Sequence, residues 1–396
     1  MLRLLFALNI EQVFDRRAFS GIAGASRHYA DMLLHQKEPS ETFQQAVHRY
    51  GINGIILSSD DSRFVKEAFE TGKPCVNIAN HLSDQYRVPV VGTDDAAIGE
   101  LVAQHYIDRG FRNFAFYANL RLNYFFPRQQ AFVKAVEKAG YQCAIGPMAI
   151  KRSGKSRKKP KYDQSEWVEH AGRWLASLPQ PLGLMAPHDS YARDAVQVCH
   201  VAGIRVPDQV SVIGVDNDDL TCVSVSPQIS SIDTHAARVG SEAVELIRSM
   251  VLKKARPPAE PILVAPGDIV VRGSSSDSAV EDKEIVAAVQ YIRSHIAQHV
   301  TVEDVVDHVL ISRRSLERRF MRALSRSVMD EIRTSRLEQA KKFLARTDYS
   351  LDEIARRSGL LRQQRLSSVI REATGLTPAE YRKSFRINFE LGNPPL

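Results

Sequence analysis

The hydrophobic pattern of this chain changes once, near residue 273, and that change limits what it can fold into. Before it, short apolar runs alternate with amphipathic stretches. The strand-like runs are 2–8, 52–57, 75–78, 114–117, 182–185 and 210–215. Helical spacing covers 62–70, 96–109, 128–139, 166–176, 191–202 and 236–251. Alternation at this spacing predicts βαβ units around a parallel sheet, enough of them for two lobes. Residues 273–278 (GSSSDS) read as a short flexible linker. From 283 to 386 no strand-like run appears and the helical period takes over. The expected organisation is therefore a two-lobed α/β domain over 1–272, a linker over 273–282, an all-α domain over 283–386 and a tail over 387–396.

A length of 396 residues suits two or three domains at about 100–200 residues each. Hydrophobic residues at 44% and charged residues at 25% fit a globular chain with true cores, and no stretch reaches the ~18–20 apolar residues of a membrane span. The apolar N-terminus meets Glu11 and Asp15 too soon for a secretory segment and reads as a first buried strand. Cys75, Cys143, Cys199 and Cys222 form no CxxC pair and fit reduced thiols of a cytoplasmic protein. Residues 279–386 carry 21 Lys and Arg against 15 Asp and Glu, and a second basic run spans 151–161. Without that run, residues 1–278 carry a negative balance, and a basic C-terminal domain on an otherwise mildly acidic chain points to a polyanionic partner there.

Within the C-terminal domain a weak repeat appears. Thr301-Val-Glu-Asp304 and Ser350-Leu-Asp-Glu353 each read as a capping box that opens a helix. Leu316 and Phe320 follow the first, Leu366 and Ile370 the second, each an apolar i,i+4 seam on a further helix. That is a helix-turn-helix, twice. Ile285, Val289, Ile292 and Ile296 form a stripe to pack beneath the first unit. A helix over 329–346 bridges the two, with Ile332, Leu337, Ala340, Phe343 and Leu344 inward. Placement at the start of the second helix of each unit selects the DNA-reading residues. They are Ser312 as cap with Arg313, Arg314, Glu317 and Arg318, then Arg362, Gln363, Gln364, Arg365 and Ser367. Arginine grips guanine or phosphate, glutamine pairs with adenine, and glutamate accepts from cytosine.

These residues, with Arg336-Leu337, Ile354-Ala355, Gly359 and the closing Thr374-Gly-Leu-Thr-Pro-Ala-Glu-Tyr-Arg382, resemble the AraC/XylS transcription regulators over about 100 residues. Gly375 suits a helix end, and Thr377-Pro378 suits a cap followed by proline at the first helical position. Leu360, Leu361 and Ile370 depart from the usual Phe, cap and Phe. Leucine at the cap predicts unserved N–H groups at the start of the second reading helix.

Residues 1–272 resemble the periplasmic-binding-protein-like sensor of LacI/GalR regulators. The resemblance rests on Val91-Gly-Thr-Asp-Asp95, Arg109-Gly-Phe111, Arg128 through Phe132 to Gly140, and Gly203-Ile-Arg-Val-Pro-Asp-Gln-Val-Ser-Val-Ile-Gly-Val-Asp-Asn217. It implies a small sugar effector, with D-xylose first in line. It also implies a homodimer and, with the AraC-type reader, an activator of sugar catabolic genes that works with RNA polymerase on an operator in double-stranded DNA. A sugar-binding protein of the cytoplasm, or a repressor answering another small molecule, is the alternative. In doubly wound sheets ligands lie beyond the carboxyl ends of the strands. Loops there supply Asp15, Phe125, Arg128, Asp189, Asp216 and Asn217 as expected ligand contacts, and Asp95 reads as a helix cap. No catalytic motif, cofactor site or metal spacing is found. Ser153-Gly-Lys-Ser156 lacks the glycine that a phosphate loop needs at 149, where Ala149 stands.

Overall fold

The structure is a computed structural model. It describes residues 1–27, 29, 31–79, 88–117, 125–147, 164–275, 282–298, 300–324 and 326–385. The basic run 151–161 and the tail from 387 lie outside these residues, as do Asn123 and Tyr124 of the expected aromatic loop. The chain divides into two compact units, Met1–Gln104 with Asn113–Ser275, and His105–Arg112 with Ser276–Leu396.

The first unit begins with β1 (Leu2–Ala7), α1 (Val13–Arg27), β2 (Met32–Gln36), α2 (Phe43–Tyr50), β3 (Gly54–Leu57), α3 (Ser62–Glu70) and β4 (Cys75–Asn77). The strands form a parallel sheet in the order β2-β1-β3-β4, the core of lobe 1. β5 (Val91–Thr93) then leads into α4 (Asp95–Asp108).

Lobe 2 follows with β6 (Asn113–Tyr117), α5 (Phe126–Lys138), β7 (Cys143–Gly146), α6 (Gln164–Ser177), β8 (Leu182–Met185), α7 (Asp189–Val201), β9 (Val210–Val215), α8 (Asp219–Val223) and β10 (Ser230–Ile232). The chain returns to lobe 1 as α9 (Ala236–Leu252). β11 (Ile262–Val264) pairs with β5, and β12 (Ile269–Val270) closes the larger sheet. That sheet runs β12-β10-β9-β8-β6-β7, parallel except for β12. Every residue of β8 and β9 is buried, as expected for parallel strands covered on both faces.

Two expectations change here. The segment after β1 is a full helix, so Asp15 lies in the first turn of α1 rather than in a loop. Its helical signal is masked by Arg16, Arg17 and two glycines. Gly21 is required, because a Cβ there would sit 1.7 Å from the Ala237 carbonyl oxygen of α9. The serines of the expected linker are also not loose. Ser274 Oγ donates to the Val212 carbonyl (2.7 Å) and accepts from the Ser230 N–H (2.8 Å), and Ser275 Oγ meets Ser230 Oγ at 2.7 Å. The hydroxyls satisfy buried polar groups of lobe 2, so Gly273–Ser275 belongs to the sensor. Residues 276–278 lie outside the described residues.

The second unit contains α10 (Lys283–His295), a 3-10 turn (Ile296–Gln298), α11 (Val302–Val309), α12 (Arg313–Leu324), α13 (Val328–Arg346), α14 (Leu351–Arg357), α15 (Gln363–Thr374) and α16 (Pro378–Phe385). The stripe Ile285, Val289, Ile292, Ile296 packs with Val305, Leu316, Phe320, Val328 and Ile332 in one core. Ala340, Leu344, Ile354, Leu366 and Ile370 form another. α13 gives its first turns to one core and its last turns to the other, as the sequence predicts for a bridge. Its 19 residues are about 28 Å long at the α-helical rise. An ion-pair chain centred on a buried carboxylate runs through this unit. Glu331, 1% exposed, takes Arg293 at 3.1 Å and Arg326, and Arg326 reaches Asp108 at 3.3 Å.

The candidate reading helices and sensor cleft

Each reading helix starts from a tight turn. α11 carries the expected capping box between Thr301 and Asp304 and ends on Leu310 with φ +56°, a left-handed conformation. Ser312 then caps α12 through the Ser315 N–H at 3.3 Å. α14 is capped by Ser350, but its box is half made. Glu353 turns to Arg356 and to Arg357 (2.6 Å) instead of back to the cap. Gly359 follows with φ +69°, where a Cβ would stand 2.2 Å from the Ile296 carbonyl oxygen. The residue capping α15 is Arg362, one place later than expected, and it makes no side-chain cap bond. Its helix start is unserved by a side chain, as the leucine departure predicted. Gly375 (φ +72°) ends α15, and Thr377 and Glu380 cap α16 with Pro378 at its first position.

Arg314 and Arg318 stand exposed on α12 with no ion-pair partner among the described residues. Arg313 is exposed and paired with Glu303. Glu317 is half-buried and accepts from the Val328 N–H at the start of α13 (3.4 Å), which favours a carboxylate there. Arg319, next to the expected set, faces away and binds Asp282 and Glu284. On α15, Arg362, Gln363, Gln364 and Arg365 are all exposed, and Ser367 is half-buried. Outward Arg and Gln over inward Leu316, Phe320, Leu366 and Ile370 is the arrangement that base-edge and phosphate recognition requires.

In the sensor, the strand ends gather a charged cluster. Arg128, in the first turn of α5, donates to Asp95 from Nε (3.1 Å) and Nη2 (2.6 Å) and to the Pro187 carbonyl from Nη1. Both partners are buried, and the cap of α4 is Asp94, which accepts from the Ala97 N–H at 3.0 Å, so Asp95 is an ion-pair partner of Arg128 and not the expected cap. His188 stands beside Arg128, and burial together with that cation pushes its imidazole down to about 4, leaving it neutral. Asp216, after β9, has Arg128, Arg17, Asp95 and Asp233 around it, and burial pushes its carboxyl up to about 6. Among the described residues nothing donates a hydrogen bond to that carboxylate.

Other expected contacts are engaged within the protein. Asp15 accepts from Asn9 N–H and Ser58 Oγ, both at 2.7 Å. Asp189 accepts from Ser231 Oγ (2.5 Å), Asp218 N–H (2.7 Å) and Cys222 Sγ (3.4 Å), and burial pushes it up to about 8. Asn217 gives its side-chain oxygen to Arg272 at 2.8 Å. Phe125 is buried, packed near Phe116 and Tyr191. Of the expected residues, the structure brings Arg128 and Asp216 together, with Asp95, Arg17 and His188 beside them. Arg17 gave no signal because its segment read as loop, Asp95 was set aside as a helix cap, and His188 stood only as the neighbour of Asp189 at a strand end.

Comparison with known proteins gives the same two parts. A periplasmic binding protein-like domain matches residues 103–275, and a helix-turn-helix domain matches 305–384. The xylose operon regulatory protein of Haemophilus influenzae is 28% identical over 96% of this chain and 98% of its own length. That of Escherichia coli K12 is 28% identical over 96% of each. The solved structure of the xylose-binding transcription activator xylR aligns over 97% of this chain and 98% of its own, with TM-score 0.59 and 26% identity. The chain is a DNA-binding transcription regulator. The regulator therefore joins the two resemblances drawn from its sequence in one molecule, sensor first and reader second. No described helix is long and apolar enough to cross a membrane.

Proposed function

We propose that this regulator activates sugar catabolic genes in the cytoplasm in response to a small sugar, D-xylose in the first instance, bound between its two lobes. The carrying observation is Asp216, a carboxylate beside Arg128 that has no donor among the described residues. A pair of neighbouring sugar hydroxyls would supply those donors, and Arg128, fixed by Asp95, stands ready beside them. The relatives' names point to xylose, and the near-full-length match supports a shared effector class. Asp15, Asp189, Asn217 and Phe125 then shape the cleft wall from behind. In the reader, Arg314, Arg318 and Arg362 to Arg365 contact the operator, and a homodimer presents two readers to DNA and to RNA polymerase. Effector control requires different sugar affinity in the DNA-competent and incompetent forms. The test is calorimetric titration with D-xylose and a panel of pentoses and hexoses, paired with operator gel shifts with and without each sugar. Saturable binding of one sugar that alters operator affinity or transcription supports the proposal. A flat titration across the panel overturns it.

A further inference from the structure

The turn that carries Asp216 is backbone of an unusual kind. Asp216 has φ +99° and Asn217 φ +50°, two consecutive non-glycine residues in the left-handed region. Such a turn persists only where its surroundings hold it. Lobe 2 holds it through Ser231 Oγ on the Asn217 N–H (2.9 Å) and Arg272 on the Asn217 side chain (2.8 Å). From lobe 1 comes a different grip. Arg17, in the second turn of α1, donates from Nη1 to the Asp216 carbonyl and from Nη2 to the Asn217 carbonyl, both at 2.5 Å. The planar fork of a guanidinium matches two adjacent carbonyls only when both point the same way, which the left-handed turn achieves. Arg16 adds a looser ion pair to Asp218 at 3.8 Å.

We propose that Arg17 is the positioning residue of the sensor's ligand site: by clamping the Asp216–Asn217 turn across the cleft it aims the Asp216 carboxylate at the ligand. The inference rests on the ligand cleft proposed above. Arg17 acts on Asp216 in two ways. Its fork fixes the backbone from which the side chain departs. Its charge, with that of Arg128, opposes the burial and the negative Asp95 and Asp233 that face the same carboxylate. Lysine in its place keeps the charge and loses the fork.

The test uses the full-length protein and its Arg17→Gln and Arg17→Lys variants, with D-xylose as probe, in calorimetry from pH 5 to 8. The wild-type affinity falls as Asp216 takes up its proton near pH 6. Arg17→Gln is expected to weaken binding about tenfold or more and to move that acid limb to higher pH. Arg17→Lys weakens binding but leaves the limb in place. Equal affinity and an unmoved limb in both variants would overturn the proposal. Hydrogen exchange of the 212–222 segment, read without any sugar, separates this from the ligand assignment. If wild type binds no D-xylose, faster exchange in both variants, confined to that segment, supports the clamp, and unchanged exchange overturns it.

Discussion

Arg314 opens the first reading helix, exposed and free of any ion pair among the described residues, while its neighbour Arg313 is held by Glu303. Arg314→Ala is therefore expected to weaken specific operator binding by about 1–3 kcal/mol. Gel shift reads the loss, and circular dichroism checks the fold. An unchanged affinity would remove Arg314 from the reading set. Asp189 belongs to a different physics. Its carboxyl rises from the ordinary range to about 8 because it is buried and faces Asp216. The folded form thus holds a proton that the unfolded chain releases near 4. The sign follows: this group's contribution is fully present below about pH 4 and is lost as pH rises through about 8. Asp189→Asn should flatten the fall in melting temperature between pH 5 and 8, and a fall as steep as wild type would contradict the shift. The sequence marked Asp189 and Asp216 alike, as acids at strand ends. It could not show that one would be satisfied by Ser231, Asp218 and Cys222 and the other left open, because the deciding partners lie 29 to 42 positions away in sequence on other elements.

Among the elements, the turn between α11 and α12 stores strain in view of solvent. Leu310 holds φ +56° while 88% exposed, so it has a steric cost and no compensating burial. Leu310→Gly should raise stability by about 0.5–1 kcal/mol, the relief being partly offset by the extra freedom of glycine in the unfolded chain. A melting temperature at or below wild type would show that the leucine is held by something else. The buried Glu331 in α13 carries the opposite expectation. Glu331→Gln strips the shared anion from Arg293 and Arg326 and should cost about 3 kcal/mol, read by denaturant unfolding of the full chain. The reader was legible as elements because its apolar i,i+4 seams are local. α13 shows as a bridge from Ile332, Ala340 and Leu344 alone. α1 was not legible, because what makes it a helix is its fit against α9 at Gly21, a contact with Ala237 far along the chain.

The whole molecule sets two reading helices on a bridge about 28 Å long, near the ~34 Å of one duplex turn. We expect each chain to engage two successive major grooves, and so a half-site without a palindrome. A homodimer, with a scattering mass near twice 44.4 kDa, should protect two such half-sites in a footprint. A monomer at micromolar concentration, protecting one, would defeat that arrangement. The grouping of His105–Arg112 with Ser276–Leu396 has a consequence for the chain as a set of exchangeable parts. A fragment starting at Ser276 contains Arg326 but not Asp108, and the Ala323 carbonyl but not the Arg112 guanidinium that donates to it at 3.4 Å. A hybrid regulator assembled by trading everything after the serines would receive a reader cut off from eight of its own residues. Transplanting the end of α4 together with the helix-turn-helix units would keep the graft whole, so the seam for recombination runs through a helix and not along the linker.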